Sequence, residues 1–467
     1  MKLTGFRFIF IKMSQNNAKL KELATRPLGR LLWEYSMPAV VAMLVMQLYN
    51  VIDRVFIGQG VGSDAIAGLT ITFPVMNLSA AIGILVGAGA SAKISILLGQ
   101  HDYNGAKLVM GNSLVLLLVN AIVYLSIFWV FIDEILLAFG ASETSLPYAR
   151  DFMLYILPGM LVMNLTFSFN SIMRSTGYPV KAMVSMFIGA GSNLVLAPIF
   201  IFVLDMGIKG AAIATDIAMA ISMVFVMSHF FKKESVLHFE PGIYRLKWKI
   251  VIGMIAIGAA PSFIQVAGCA ISGIINTTVY AYGGDTAVAA VGIFITYTTL
   301  ITSVVVGLCQ GLQPILGYNY GAGHLERLSR GFWLAVWAST IVCTIGCIFG
   351  LFFPEYIARM FSSDNALIEV TANGLSIAML SFWFVGFQII ATTLFQSLDK
   401  PGKAIFLSLI RQVIFLIPFL LIFPRFMQLN GVWASFPISD VCATIMSGIM
   451  VWWQFKSLRR EQRLRQY

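Results

Sequence analysis

The chain has 467 residues, of which 58% are hydrophobic and 11% charged, with a mean hydropathy of +0.85 and a formal net charge of +10. A soluble domain carries about a quarter charged residues because its surface must face water, so a soluble globular fold is excluded and lipid is the implied solvent. Cys269, Cys309, Cys343, Cys347 and Cys442 all lie in apolar runs without a CxxC pair, so neither a zinc site nor a disulfide framework is signalled.

Along the chain, Gly5–Ile11 is too short to span a membrane and no small-residue cleavage site follows it, so no signal peptide is expected. Met1 and Met13 are both candidate starts. Leu20–Trp33 mixes apolar and basic residues and predicts an interfacial helix. Twelve apolar runs follow, at 34–56, 66–95, 107–131, 147–172, 181–203, 209–231, 250–280, 286–314, 330–353, 367–396, 404–424 and 431–455. Each is long enough to cross a ~30 Å hydrocarbon core. None alternates polar with apolar residues, which favours helices over barrel strands. The fold class expected is an all-α membrane protein of two six-helix bundles. The divisions are 1–33 for an N-terminal segment, 34–231 for the first bundle, 232–249 for a linker, 250–456 for the second bundle and 457–467 for a basic tail.

The charges orient the spans. Lys2, Arg7, Lys12, Lys19, Lys21, Arg26 and Arg30 precede the first span, and alternate connections carry Lys107, then Arg174 and Lys181, then Lys232, Lys233, Arg245, Lys247 and Lys249. Arg327, Arg330, Lys400 and Lys403 continue the series to the tail at Lys456, Arg459, Arg460, Arg463 and Arg465. The intervening connections hold Asp64, Asp133, Glu134, Glu143, Asp205, Asp285 and Asp364. Cations gather on cytoplasmic connections, so both termini are expected in the cytoplasm of a bacterial cell, with the chain in its inner membrane. The positive charge is then accounted for by anionic lipid, with no nucleic acid as partner, and a monomer is expected. In the tail, orientation and anchoring outweighs a lipid-sensing switch.

An internal repeat runs through the chain. Pro179-Val180-Lys181-Ala182 matches Pro401-Gly402-Lys403-Ala404, 222 residues on, and Gly99 and Gly321 open equivalent loops at the same offset. Pro38 and Pro261 start equivalent helices at an offset of 223, each followed 15 residues later by a polar residue, Asp53 and Asn276. Six spans per copy give both copies the same orientation, the arrangement that places a substrate site between two halves about an axis along the membrane normal.

The segment Leu48-Tyr49-Asn50-Val51-Ile52-Asp53-Arg54-Val55-Phe56-Ile57-Gly58 resembles the first helix of the MATE (multidrug and toxic compound extrusion) transporters. Gln310-Gly311-Leu312-Gln313-Pro314-Ile315-Leu316-Gly317-Tyr318-Asn319-Tyr320-Gly321-Ala322 is similar to the family's eighth-helix exit, and Met206-Gly207-Ile208-Lys209-Gly210-Ala211-Ala212-Ile213-Ala214-Thr215 to its turn into helix 6. The resemblance extends over about residues 28 to 455. It implies a V-shaped pair of bundles that exports amphipathic, often cationic compounds against inward flow of H⁺ or Na⁺.

Ionisable groups at membrane depth are costly and mark function. Counting along the predicted helices puts Asp53 roughly 6 Å inside the outer surface, Asn193 about 18 Å up helix 5 and Thr215 about 9 Å down helix 6. The resemblance assigns these three matching positions to cation or proton binding. For Asn193 and Thr215, plain interhelical hydrogen bonding is an equal alternative. Many relatives carry an aspartate four residues after the helix 5 asparagine; Ala197 stands there instead. Loss of that carboxylate disfavours Na⁺ and favours H⁺ as coupling ion, with no cofactor. Asp216 is a candidate compensating acid, turned about 100° from Thr215. Asn276 cannot titrate, which departs from the NorM-like branch and points to the branch of the DinF- and MepA-like proteins. Arg411 either snorkels to the cytoplasm or pairs with Asp440, the remaining deep acid.

Gln47, Tyr49, Asn50, Asn276, Tyr280 and Tyr297 are candidate cleft residues for small amphipathic, cationic substrates. Gly87-x-Gly89 lies within a span and is expected to serve close helix packing rather than a dinucleotide. No HExxH, GxSxG or Walker sequence occurs, so no enzyme is indicated. A gradient-driven multidrug antiporter leads, ahead of a lipid or lipid-linked oligosaccharide flippase, a channel and an intramembrane enzyme.

Overall fold

The computed structural model describes residues 22–60, 63–142, 144–233 and 235–465, which are helical wherever they are regular. The first bundle contains α1 (Leu28–Gly60), α2 (Ser63–Gly99), α3 (Tyr103–Ala138), α4 (Leu146–Ser175), α5 (Pro179–Pro198, extended by a wide π turn at Ile199–Val203) and α6 (Gly207–Phe231). The next run, Trp248–Gly321, has 74 residues and one left-handed break, Gly284 at φ 63°. Unbroken it would be about 111 Å long, over three times the hydrocarbon core. The break folds it into α7 (248–283) and α8 (285–321). α9 (Leu325–Phe352), α10 (365–397, tightened at Met379–Phe384) and α11 (401–422, with a π segment at Ile410–Leu416) follow. Gln428 at φ 51° separates residues 424–427 from α12 (429–465). Eleven described helical runs are long and apolar enough to cross a membrane, and the divided one makes twelve spans. These match the twelve expected spans one for one, with ends that differ by up to ten residues, as at the end of the last helix, 465 against 455.

The interfacial helix expected at Leu20–Trp33, leading into the first span, is interrupted among the described residues. Residues 20 and 21 lie outside the described residues, Glu22–Thr25 make one helical turn, and α1 begins directly at Leu28 after a break at Pro27. Proline disfavours helix in the residue before it, so Arg26 leaves the helix and Leu28–Trp33 become the first turns of the span.

The repeat is written into the backbone. Left-handed residues recur at equivalent positions: His101 (φ 61°) with Gly323 (φ 74°), and Gly177 (φ 93°) with Asp399 (φ 54°), each 222 residues apart. Asp205 (φ 50°) and Gln428 (φ 51°) repeat at 223. A pseudo-twofold relation also governs the contact between bundles. A Cβ on Gly99 would lie 2.2 Å from the Tyr318 carbonyl oxygen, and a Cβ on Gly321 would lie 2.1 Å from that of Ile96, so each half offers the other the same pair of positions. Likewise α2 meets α7, where a Cβ on Gly89 would be 2.0 Å from Met254 O and one on Gly258 1.7 Å from Leu85 O. The equivalent α8–α1 crossing has Gly307 on Val40 and Gly311 on Ser36. Small residues that let backbones touch are the usual cement between helices in lipid. Gly87 of the same motif faces the other way, with Ser168 of α4 2.7 Å from its would-be Cβ.

All these contacts lie on the half of the molecule that carries the termini. Lys93 of α2 and Asp399 add an ion pair of 2.6 Å there, and Arg327 of α9 donates to the carbonyls of Leu23 (3.3 Å) and Arg26 (2.7 Å). Nearer mid-depth, Gln47 donates to Ser303 (3.1 Å) and Gln265 to Asn77 (3.2 Å). On the far half the bundles part: Gly268, Gly273 and Gly292 would place a Cβ with nothing within 4 Å. Asn50, Ser272, Asn276, Tyr280, Thr296 and Thr299 are exposed there. Polar side chains avoid lipid tails and face bundle interiors or water-filled cavities, so these residues mark a cleft open away from the termini.

The connection between α6 and α7 folds back over α3. Lys107 pairs with Glu240 at 2.6 Å, His238 reaches the same oxygen at 2.5 Å, and Asn112 accepts from the Lys247 amide at 2.8 Å. Lys107's hydrogen bond first, then its charge and His238, hold the Glu240 carboxyl below the usual carboxylate range, against the opposing effect of burial.

Candidate functional site

Three helices of the first bundle bring polar groups together on its open half. Asn193 stands 14 residues into α5, about 21 Å along it, and Thr215 eight residues into α6, about 12 Å from its other end. Because the helices run antiparallel, the two side chains meet: Asn193 Nδ2 donates to Thr215 Oγ1 at 2.8 Å. The same amide group donates to Tyr49 Oη of α1 at 3.1 Å. Thr215 passes its own proton to the Ala211 carbonyl at 3.0 Å. Asn193 is 3% exposed, so this set is desolvated. Asp53 follows Tyr49 by one helical turn and shares its face, near enough for its carboxylate to act on the phenol. The result is an ordered series of carboxylate, phenol, amide and hydroxyl. It gathers hydrogen-bonding groups of α1, α5 and α6 beside the Asp53 carboxylate. Ala197, one turn beyond Asn193, is buried. No group of three or more His, Cys, Asp or Glu fit to hold a metal occurs among the described residues.

Tyr49, read from sequence as a cleft residue, belongs instead to this cluster, because its hydroxyl is the acceptor that Asn193 needs. Asp216 is not joined to the cluster. One residue beyond Thr215 it turns to α4, where its Oδ2 accepts from the Gly159 amide at 3.1 Å. Pro158 has no N–H and distorts the turn before it. Gly159 has no side chain to block the approach: a Cβ there would sit 1.6 Å from Asp216 Oδ1. Asp216 thus occupies a backbone defect.

The remaining candidates divide. Asn50, Asn276 and Tyr280 are exposed on the open half, as a cleft lining requires. Gln47 is committed to the inter-bundle bond with Ser303. Tyr297 is corrected: its hydroxyl donates to the Gly346 carbonyl at 2.7 Å and so faces α9 inside the second bundle. A tyrosine hydroxyl in apolar surroundings must find an acceptor, and Gly346 leaves its carbonyl uncovered. Of the two readings for Arg411, pairing holds: its Nε lies 2.8 Å from Asp440 Oδ1, with Asp440 only 4% exposed. The π segment carries Arg411 inward. Sequence reasoning missed two further residues. Lys93, a cation inside a span, was a readable signal. Arg174 was counted among flanking cations, yet it is 7% exposed.

The MatE family profile matches residues 38–199 and 261–422, two copies 223 residues apart. Multidrug export protein MepA of Staphylococcus aureus is 25% identical over 420 residues, covering 89% of this chain and 92% of that one. A protein of Shewanella oneidensis named FAD transporter is 26% identical over 428 residues, covering 90% and 93%. Among solved structures, a multidrug resistance MATE family transporter in an outward-facing conformation superposes with a TM-score of 0.89 at 23% identity, covering 94% of this chain and 98% of its own. A MATE protein in a straight conformation matches with the same score, identity and coverage. With both repeats matched and the open two-bundle fold in place, the chain belongs to the MatE family, on its MepA-like branch, and is a multi-pass membrane transporter rather than an enzyme.

Proposed function

We propose that the protein exports small amphipathic cations in exchange for inward-moving protons, by alternating access between the two bundles. The observation that carries this reading is the convergence of Asp53, Tyr49, Asn193 and Thr215 from three helices beside the open cleft. A carboxylate at membrane depth can take and release one proton, and its charge changes with that step. The cleft residues Asn50, Asn276 and Tyr280 are neutral, so Asp53 supplies the negative charge that a cationic substrate would seek. Substrate and proton then compete for one carboxylate, which couples their movements in opposite directions. The termini lie in the cytoplasm of a bacterial cell on this reading, and the described form is the one open to the outside. A flippase is set aside, because the relatives named above are a multidrug export protein and an FAD transporter, and the described cleft residues Asn50, Asn276 and Tyr280 carry no positive charge.

Reconstituted protein in liposomes tests the proposal, with a fluorescent cationic dye and FAD as probes and either a pH or a Na⁺ gradient imposed. The expected result is dye movement under the pH gradient alone. Movement under Na⁺ alone, or transport of FAD but no cationic dye, contradicts the ion or the substrate class respectively.

A further inference from the structure

Directly below the Asp53 cluster, toward the terminus-bearing side, the interior of the first bundle contains a cavity of about 20 Å³. Met46, Gly189 and Met219 line it, each one turn below Tyr49, Asn193 and Thr215 respectively. At least 10–15 Å³ of such space is enough for one water molecule. Asn170 and Ser222 give it polar walls, and Ser222 donates to the Ser185 carbonyl at 2.6 Å. Asn170 in turn donates to Ala182 O and Ser185 Oγ, each at 2.7 Å. One turn further on, Arg174 donates to Asn170 Oδ1, and to Ser171 Oγ at 2.9 Å. Inside one bundle, apart from the central cleft, the ring of Met46, Gly189 and Met219 thus separates the Asp53 cluster from the cavity, and from the cavity polar groups run on toward the terminus-bearing face.

A proton carrier with such a line must stop protons from slipping through it. Arg174 has the required character: its guanidinium is buried, and the partners above are neutral. Three of the described carboxylates on the terminus-bearing half are paired elsewhere. Glu22 and Glu34 are bound by Arg26 and Arg30, and Glu240 by Lys107 and His238. The other polar groups at this end do not neutralise it: Tyr178 has Lys181 5.0 Å above its ring and His229 against its edge at 4.5 Å. A desolvated positive charge in a narrow pathway repels hydronium and small cations while leaving neutral hydrogen bonds intact.

We infer that Arg174 is an electrostatic barrier, which keeps protons at the Asp53 cluster from crossing the first bundle by way of the Asn170–Ser222 cavity. This rests on the reading of Asp53 as the proton site, and the experiment separates the two. Full-length protein is reconstituted without substrate, the membrane potential is clamped with K⁺ and valinomycin, and internal pH is followed after an external acid step. R174Q is expected to raise passive proton flux about tenfold, the factor for removing a unit charge about 10 Å away at an effective dielectric of about 20. R174K keeps the wild-type flux. Ser171→Asp, which neutralises the guanidinium without removing it, raises flux and covers the case in which R174Q fails to fold. Gly189→Ala, whose methyl meets Ser222 Cβ at 3.4 Å and fills the cavity, suppresses the leak in the R174Q background. Folded R174Q and Ser171→Asp proteins with wild-type flux overturn the barrier. A leak that survives addition of Asp53→Asn keeps the barrier and contradicts the assignment of Asp53.

Discussion

At the scale of single residues, the Tyr49 hydroxyl accepts from the amide of Asn193, one turn from the Asp53 carboxylate proposed to carry the proton. Tyr49→Phe removes the acceptor for one Asn193 proton, a loss of about 1 kcal/mol. It is expected to lower proton-driven export roughly fivefold while leaving the melting temperature in detergent nearly unchanged; an unaltered export rate counts against the relay. Gly159→Ala should act oppositely, on stability more than on coupling. Its Cβ would overlap the Asp216 carboxylate, and such overpacking costs about 1–3 kcal/mol, readable as a fall in melting temperature. The meeting of Asn193 and Thr215 was legible in the sequence because depth along a helix follows from counting residues. The role of Tyr49 was not, since spacing places it on the face of Asp53 without saying where its hydroxyl reaches. Asp216 shows the same limit: its angle from Thr215 was readable, but the Pro158–Gly159 defect that receives it lies 57 residues away.

Single helices and their connections carry the next set of forces. The pair Arg411–Asp440 joins α11 to α12 within the second bundle. Breaking a buried pair from one side strands a charge and costs about 3–5 kcal/mol, whereas replacing both partners with apolar residues is often neutral. Arg411→Gln should therefore lower the melting temperature far more than the double change Arg411→Met with Asp440→Leu; equal losses would show that the pair stabilises outright. Between α6 and α7, the Glu240 carboxyl is held low by Lys107. A depressed carboxyl stabilises the fold above its unfolded value of about 4.3 and loses that contribution as pH falls through the folded value. Acidification below about pH 4 should thus loosen residues 239–247, seen as faster backbone hydrogen exchange there after correction for intrinsic rates, and Lys107→Ala should move that onset upward in pH. Glu240 is exposed enough for the effect to remain local. The twelve spans were legible because each is a continuous apolar run. Breaks at single residues were less so: Gly284 and Gln428 take left-handed conformations that only the surrounding turn demands. The choice between snorkelling and pairing for Arg411 depended on the relative rotation of α11 and α12, which no sequence spacing encodes.

Over the whole molecule, the two bundles are closed on the terminus-bearing half and open on the other. Lys93–Asp399 bridges them, but with side chains 25% and 39% exposed it contributes about 1 kcal/mol or less. Backbone contact at glycines is the stronger closure. Gly258→Val would set a Cβ 1.7 Å from the Leu85 carbonyl oxygen and should drive this half apart, lengthening spin-label distances between α2 and α7. Unchanged distances would mean that the crossing is not what holds the described form. The parallel repeat was legible from three offsets of 222 or 223, and the reciprocal contacts of Gly99 and Gly321 show the axis it implied. Which half of the molecule stands open was not legible, because the same glycines serve any state in which the crossing forms.

The central claim is that a proton on Asp53 is exchanged for substrate. It is tested most directly by adding a cationic substrate to purified protein in weakly buffered detergent and recording proton release. Wild-type protein should release up to one proton per substrate bound, and Asp53→Asn none while remaining folded. Equal release from both, or substrate binding by the wild type with no release at any pH, would contradict the account.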